Sequence, residues 1–366
     1  MYEPDAEYSV KTGAAFLSNN LSVMWHEPRA LTYAAFLGKN VIQFLTWNEK
    51  MEQQSCDLVT GKEKANGNVP SADNIPRERE KPSTLMQVKL CLPLNRINPI
   101  AVVLSSTIVN LIDPKTRKSI FCMDSAEVVE SENPATGKIS LKACVFSRGI
   151  TCVENLILAG TNAGEIIVIM CVGETNFQQK KSLKEHDAPI TDMATCGFDL
   201  ITVTGDVDGN VVVWSKGMKS VTKKISTNQQ LSVLNILRKQ VLCGTYIGQV
   251  FIFSITTGSL MAEVNAHSRQ ITSIAVAVES AYILTASEDS YIRIWKLHTR
   301  KPDAYKVEFR FAQKFDNMSI MGAEFSGPRG SGFVVSHYEN TKISSFRINK
   351  RPPIASFEAN EAGKET

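Results

Sequence analysis

Four segments of this chain can be laid over one another: LAGTNAGEIIVI (158–169), TVTGDVDGNVVVW (202–214), LCGTYIGQVFIF (242–253) and LTASEDSYIRIW (284–295). Each reads as strand, tight turn, strand, with β-branched and apolar runs on either side of a short polar break. Their last residues, Ile169, Trp214, Phe253 and Trp295, stand 45, 39 and 42 positions apart. A unit of that length cannot bury its own apolar faces and must stack on its neighbours. The period therefore limits the chain to repeat architectures.

A period of roughly 40–45 residues carried by strands alone is that of a β-propeller blade. Weaker copies extend the series: LTYAAFLGKNVIQF ends at Phe44, IAVVLSSTIVNLI at Ile112 and FVVSHYENTKISSF at Phe346. The expectation is an all-β, seven-bladed propeller, a single domain over residues 1–350 followed by a flexible tail at 351–366. A ring hides its sheet edges best when one terminus completes the blade at the other. The last blade shows strands near 319–325, 332–336 and 341–348 and lacks an outer one. EYSV at 7–10 is the expected donor, with PIASF near the C-terminus competing for the same edge. Two wide gaps break the spacing. One falls in the polar stretch MDSAEVVESENPATGK (123–138), read as an inter-strand loop. The other, 48–83, is charge-rich and poor in apolar residues, and is read as a mostly disordered surface insertion, part of which can form the outer strand of the first blade.

A second regularity lies inside the repeat. From His186, Thr204 is 18 residues on, Asp208 is 22 and Trp214 is 28; from His267, Thr285, Asp289 and Trp295 follow at the same three intervals. Taken alone, the second set beside Ser287 and Ser290 suggests a hydrolytic triad. Its recurrence argues otherwise, because one reaction centre needs one nucleophile and one base. A device used once per blade is structural: aspartate accepts from histidine, histidine meets the threonine hydroxyl, and threonine takes the indole N–H. The expected tetrads are thus His186, Thr204, Asp208, Trp214 and His267, Thr285, Asp289, Trp295. In two other blades Ala163 and Ile247 fill the aspartate position, so those turns must rest on packing and on Gly164 and Gly248.

These residues carry a resemblance. HDAPITDM with TVTGDVDGNVVVW, and HSRQITSI with LTASEDSYIRIW, resemble the units of WD-repeat propellers. The departures are that Glu185 and Ala266 precede the histidines where glycine is usual, and that Ser215 and Lys296 follow the tryptophans where aspartate is usual. NNLSV, LTY, VNAHSRQI, SEDSYIRIWKL and GAEFSG extend the likeness over nearly the whole chain to a single branch of that family. The resemblance implies a scaffold without assigned enzymatic chemistry and transfers no functional residues. WSKG and WKLH at the blade ends lack the Trp-Asp-x-Arg of cullin-ligase receptors.

Composition narrows the function further. Forty Lys plus Arg against 37 Asp plus Glu leave a charge of +3 with no basic block, which argues against nucleic acid as a partner. Eight cysteines without a C-x-x-C pair sit mostly in apolar runs and read as reduced core residues. The N-terminal stretch has no apolar signal core, and no run reaches the ~18 apolar residues of a membrane span, so a cytoplasmic protein is expected, the nucleus remaining open. The five histidines include no pair at metal-ligand spacing, and neither metal nor cofactor is expected. SGPRGSG (326–332) lacks the Lys-Ser/Thr and helix of a phosphate cradle and reads as a hairpin loop.

The leading expectation is a non-enzymatic scaffold that binds proteins or peptides on the loop face at the channel mouth. Candidate contact residues there are Asp187, Tyr246, Arg269, Glu288, Tyr338 and Glu339, with Tyr and Arg favoured as anchors. The alternative is small-ligand binding or catalysis in the central channel. That needs convergent titratable groups, and ITDMAT, LSVLNIL, ITSIAVA and IMGAEF supply few. Nucleic-acid binding ranks third and requires a basic stripe around one face.

Overall fold

The computed structural model describes residues 2–60, 84–124, 130–132, 139–141, 145–298 and 306–348. Seven four-stranded antiparallel blades surround a central axis, and the helical content among the described residues is confined to short 3-10 turns such as Glu27–Arg29. The innermost strands, for blades 1 to 7, are Ser22–His26, Leu85–Cys91, Phe146–Val153, Ile190–Thr195, Leu231–Leu237, Ile271–Ala277 and Ile320–Phe325. In blade 3 the outer position is split between two short strands, Phe177–Gln179 and Leu183–Lys184, both paired with Glu165–Cys171. A separate hairpin, Glu130–Glu132 with Ile139–Leu141, lies in the first wide gap of the sequence.

Why these strands are apolar on both sides follows from the ring. Successive side chains point to opposite faces, and each face packs on a different neighbouring blade. In the strand Tyr282–Ser287 of blade 6, Leu284 and Ala286 enter the core shared with blade 7, whereas Ile283 enters the one shared with blade 5. The buried apolar residues accordingly fall into seven clusters, one per blade interface.

The ring closes through the N-terminus. Tyr2–Ser9 pairs antiparallel with Lys342–Ile348 as the outer strand of blade 7, a longer and earlier segment than EYSV. Tyr8 stacks on Trp47 of blade 1 at 4.6 Å, and the Tyr2 hydroxyl donates to the Gly330 carbonyl, so both ends of the strand are anchored. The polar stretch 48–83 is narrower as an insertion than its composition suggests. Gln53–Thr60 within it is the outer strand of blade 1, paired with Val41–Asn48, and its Val59 enters the core shared by blades 1 and 2. The rest of that insertion, the flexible tail at 351–366 and the competing PIASF lie outside the described residues.

Polar residues of the inner strands join each blade to the next. The Leu90 amide donates to Ser22 Oγ (3.0 Å) and the Gly149 amide to Gln87 Oε1 (2.7 Å). Ser147 Oγ donates to the Ile190 carbonyl (2.8 Å), and the Leu234 amide donates to Asp192 Oδ2 (3.0 Å). Ser232 and Asn235 donate to the Ile271 and Ile274 carbonyls, and Thr272 and Ser273 to those of Ile320 and Ala323. Ser336 of blade 7 donates to the Asn20 carbonyl and completes the circuit. Buried polar groups are thereby satisfied at the seams, where an unpaired one would be costly.

Candidate functional site

Antiparallel alternation puts the turns between second and third strands, and the segments entering the inner strands, on one face of the ring, here the upper face. Both tetrads lie on that side. In blade 6, His267 Nε2 is 2.8 Å from Thr285 Oγ1, which also accepts from Trp295 Nε1 at 3.1 Å, and His267 Nδ1 is 3.1 Å from the Asp289 carboxylate. Arg293 adds a cation 3.3 Å from Asp289 and beside the ring. Burial lowers the His267 pKa, Asp289 opposes that and Arg293 reinforces it, so the ring is held neutral. Burial works against the Asp289 carboxylate, but its bonds from His267, Ser268 and Tyr291 prevail and hold its pKa well below the ordinary carboxylate range.

Blade 4 departs from the expected set. His186 Nε2 meets Thr204 Oγ1 at 2.8 Å, and Trp214 Nε1 donates to the same oxygen at 3.0 Å. The carboxylate, however, is Asp206, 2.9 Å from His186 Nδ1, and not Asp208, whose side chain is exposed at the turn tip. Asp206 is the last residue of its strand, 1% exposed, and faces the histidine directly; it also accepts from the Asn210 amide at 2.8 Å, which closes the turn. Burial opposes its charge, yet the bonds from His186 and Asn210 outweigh it and hold the pKa below the ordinary value. The position equivalent to Asp206 in blade 6 is Ser287, whose hydroxyl donates to the Arg269 carbonyl at 3.2 Å and accepts from the Asp289 amide at 3.1 Å. That serine is occupied in shaping the turn.

Where no aspartate is present, a threonine does the closing. Thr161 and Thr245 each accept from the amide four residues on and donate to the same residue's carbonyl. Gly164 and Gly248, at φ 78° and 87°, lie so close to the His186 and His267 carbonyls that a Cβ would overlap them. The turn of one blade thus seats on the segment entering the next.

A feature without a sequence signal shapes the upper mouth. Between the closing strand and blade 1, the chain runs as a strap over the channel. Ala14 exchanges backbone bonds with His337 and Glu339, and the Ala15 amide reaches the Leu37 carbonyl. Asn19 then extends to blades 6 and 4: its amide donates to the Thr272 carbonyl (2.6 Å) and its Nδ2 to Asp192 Oδ2 (3.1 Å). The strap also displays Phe16, 56% exposed, edge-on to Tyr338 with centroids 5.4 Å apart.

The six expected contact residues all fall on this face. Asp187, Tyr246, Arg269, Tyr338 and Glu339 are exposed, and Glu288 is half-buried with its amide bonded to the Gln270 carbonyl. They do not form one patch. Tyr246 and Ile247 share a corner with Arg269, whose carbonyl abuts Gly248, while Tyr338 and Glu339 adjoin Phe16. Asp187 stands apart, at the junction of blades 3 and 4.

The channel holds more charge than the inner strands suggested. Lys89, Arg148, Asp192 and Glu324 project from blades 2, 3, 4 and 7. Asp192 is fully buried and accepts from Met193, Leu234 and Asn19; burial raises its pKa against the pull of Lys89 and Arg148. Burial raises Glu324 to about 7, with Lys89 opposing and Asp192 adding to the shift. Lys89 and Glu324 occupy equivalent register positions, opposite Val102 and Val334, and among the described residues neither has a side-chain hydrogen bond or an ion pair within 4.0 Å.

Seven blades of this period, with histidine, threonine, aspartate and tryptophan bonded in series in two of them, define a WD-repeat β-propeller, a class of protein-interaction scaffolds. Within that class the chain belongs to the WDR54 family, whose model matches residues 1–348. It is 27% identical to WD repeat-containing protein 54 of Mus musculus over 360 residues, covering 94% of this chain and 99% of that protein. The Homo sapiens protein of the same name is 26% identical over 363 residues, with the same coverage. A shorter likeness, 22% over 192 residues, spans 46% of this chain and 56% of THO complex subunit 6 of Homo sapiens. Among solved structures, a chain of the "Crystal Structure of Mitotic Checkpoint Complex" superposes with a TM-score of 0.67 at 13% identity, covering 95% of this chain and 96% of that one, and shows the fold alone. No helix among the described residues is long and apolar enough to cross a membrane.

Proposed function

We propose that this chain is a non-enzymatic adaptor that docks a protein partner on the upper face, with Phe16 and Tyr338 as the anchor. The observation that carries this reading is their edge-to-face pair, exposed yet held in place by the backbone bonds of Ala14 to His337 and Glu339. Aromatic side chains fixed before binding lose little entropy when they are covered, which makes them efficient anchors. Tyr246 and Arg269 form a second contact point, and Glu288, Glu339 and Asp187 set the charge around both. The name of the partial relative, a subunit of a complex, agrees with a role inside an assembly. The test is proximity labelling with the wild-type chain, a Phe16→Ala/Tyr338→Ala variant and a Tyr246→Ala/Arg269→Glu variant, each checked for unchanged melting. The adaptor reading expects a defined subset of neighbours to vanish in the first variant. An identical neighbour set in all three sinks it.

A second reading, a small-ligand site in the channel, is supported by the four charged residues that converge there. Lys89 and Glu324 do not clamp a neighbouring blade, although the polar residues around them do. Burying them costs stability and calls for a use. A thermal-shift screen of small zwitterions and carboxylic acids tests it. A stabilising ligand whose effect disappears in Glu324→Gln favours the channel, and its absence across the panel removes this reading.

A further inference from the structure

The lower face, opposite to the adaptor surface, carries the turns between first and second strands. Those of blades 4, 5 and 6 line an open cavity of about 460 Å³, inside the range of roughly 300–1,000 Å³ typical of ligand sites. Phe198 stands at its rim, 84% exposed, more so than any other exposed large apolar side chain among the described residues. Its turn does not need it: the Cys196 amide donates to the Ile201 carbonyl, the Leu200 amide donates back to Cys196, and Leu200 takes the left-handed conformation at φ 54°. The opposite wall is equally fixed. Arg238 of blade 5 spans to blade 6, donating from Nε and Nη2 to the Val278 carbonyl at 3.1 and 2.8 Å and from Nη2 to that of Glu279 at 3.1 Å.

Between these walls lies Gln240, 8% exposed, whose Oε1 is buried without a hydrogen-bond donor. A buried acceptor left unpaired is costly, and almost all such groups in folded proteins find a partner. The Nε2 of the same carboxamide also has no hydrogen bond among the described residues, but unlike Oε1 it is not buried. A free carboxamide is matched in both halves by a peptide unit, whose N–H gives to Oε1 and whose C=O accepts from Nε2. The rim charge is mixed. Lys239 is exposed with no ion pair among the described residues, and Asp199 lies across from it, while Glu279 is engaged by Arg329 at 3.0 Å. Counting Arg238 and Arg329, the cations exceed the carboxylates.

We propose that this cavity is a peptide-binding site: Gln240 pairs with a backbone amide of the partner, a large apolar side chain packs between Phe198 and Val278, and an adjacent acidic residue meets Lys239. The site is separate from the upper-face anchor, so each can fail without the other. A chain with both would hold two partners at once on opposite faces of one rigid ring.

The test uses the full chain and a synthetic array of capped decapeptides with Leu, Phe or Trp at the centre, flanked by Asp/Glu, by Lys or by Ser, followed by fluorescence anisotropy on the peptides retained. The acidic-flanked set should bind best. Phe198→Ala, a surface change that leaves folding intact, should weaken it about tenfold or more. Gln240→Leu should weaken it with apolar contacts kept, and Lys239→Glu should transfer the preference to the Lys-flanked set. If Gln240→Leu lowers the melting temperature, Gln240→Glu, which keeps an acceptor and removes the donor, replaces it. No binding below about 1 mM, binding unmoved by Phe198→Ala, or binding lost instead in Phe16→Ala/Tyr338→Ala would each overturn the proposal.

Discussion

His186 meets Asp206 at 2.9 Å and leaves Asp208 in solvent, so the tetrad of blade 4 draws its carboxylate from the end of a strand, two residues before the position used in blade 6. The two arrangements reach one end by different means. In each, the carboxylate satisfies the histidine and also caps the turn, through Asn210 in one blade and Tyr291 in the other. Asp206→Ala should therefore leave both the imidazole and a backbone amide without partners and destabilise the chain by about 3 kcal/mol. Asp208→Ala should stay within about 0.5 kcal/mol, as an exposed substitution normally does. Urea unfolding of the two variants distinguishes them, and equal losses would mean that Asp206 is not the tetrad's carboxylate in solution.

In blade 6 the same logic applies to the two ends of the series. Trp295 packs on Phe309 at 5.5 Å and against the core shared by blades 5 and 6, while its N–H is spent on Thr285. Trp295→Ala should cost about 3 kcal/mol, most of it from packing. His267→Ala should cost about 2 kcal/mol by stranding Asp289 and Thr285. Calorimetric melting reads both. A variant that kept its melting temperature but lost a hydrolytic activity would restore the triad interpretation of this stretch.

The parts of this architecture that were legible are those carried within one repeat. Ile169, Trp214, Phe253 and Trp295 mark equivalent third strands because the same side chains recur where the same packing recurs. What joins one repeat to another left no local pattern. Ser22, Gln87 and Ser147 look like ordinary strand residues until the following blade's backbone is placed against them. The strap was hidden for the same reason, since Asn19 acquires a role only when Asp192, 173 residues away, lies beneath it. Asp208 has the spacing of Asp289 without its geometry, because the strand in blade 4 already ends on a carboxylate, Asp206, that faces the histidine. The channel charge leaves little trace in the sequence, because Lys89 and Arg148 lie in strands whose other residues are mostly apolar or small, and convergence from four blades is a property of the ring.

His337 ends the second strand of blade 7, at the position held by Asp206, Thr245 and Ser287 elsewhere, but its side chain makes none of the bonds theirs make. Both ring nitrogens are buried without partners, and the ring packs on Phe315 at 4.6 Å. Burial lowers its pKa to about 4. In the unfolded chain the value is near 6.5, so between these limits the unfolded state binds more protons and stability rises with pH. The contribution present above pH 6.5 and lost on acidification through pH 4 is on the order of 3 kcal/mol. His337→Thr, which supplies the residue found in blade 5, should remove this rising component from the pH profile. Unfolding free energies measured from pH 4 to 7 would show an unchanged slope if the imidazole were protonated in the folded state.

Glu324 has the opposite sign. Its folded pKa, about 7, lies above the ordinary carboxylate value, so across the interval between them the folded state holds the proton that the unfolded chain releases. Its penalty is absent at acid pH and grows as pH rises, to a few kcal/mol at most, since the side chain is only half-buried and meets solvent in the channel. The His337 and Glu324 slopes oppose one another over much of the range between pH 4.5 and 6.5. Glu324→Gln removes the falling component and should make the profile rise more steeply than that of wild type, with higher stability at pH 7.5. His337→Thr removes the rising component and should tilt the profile downward relative to wild type. A Glu324→Gln variant no more stable than wild type at pH 7.5 would mean that Lys89 already neutralises the carboxylate, and that the channel contains a settled ion pair with no unmet charge to offer a ligand.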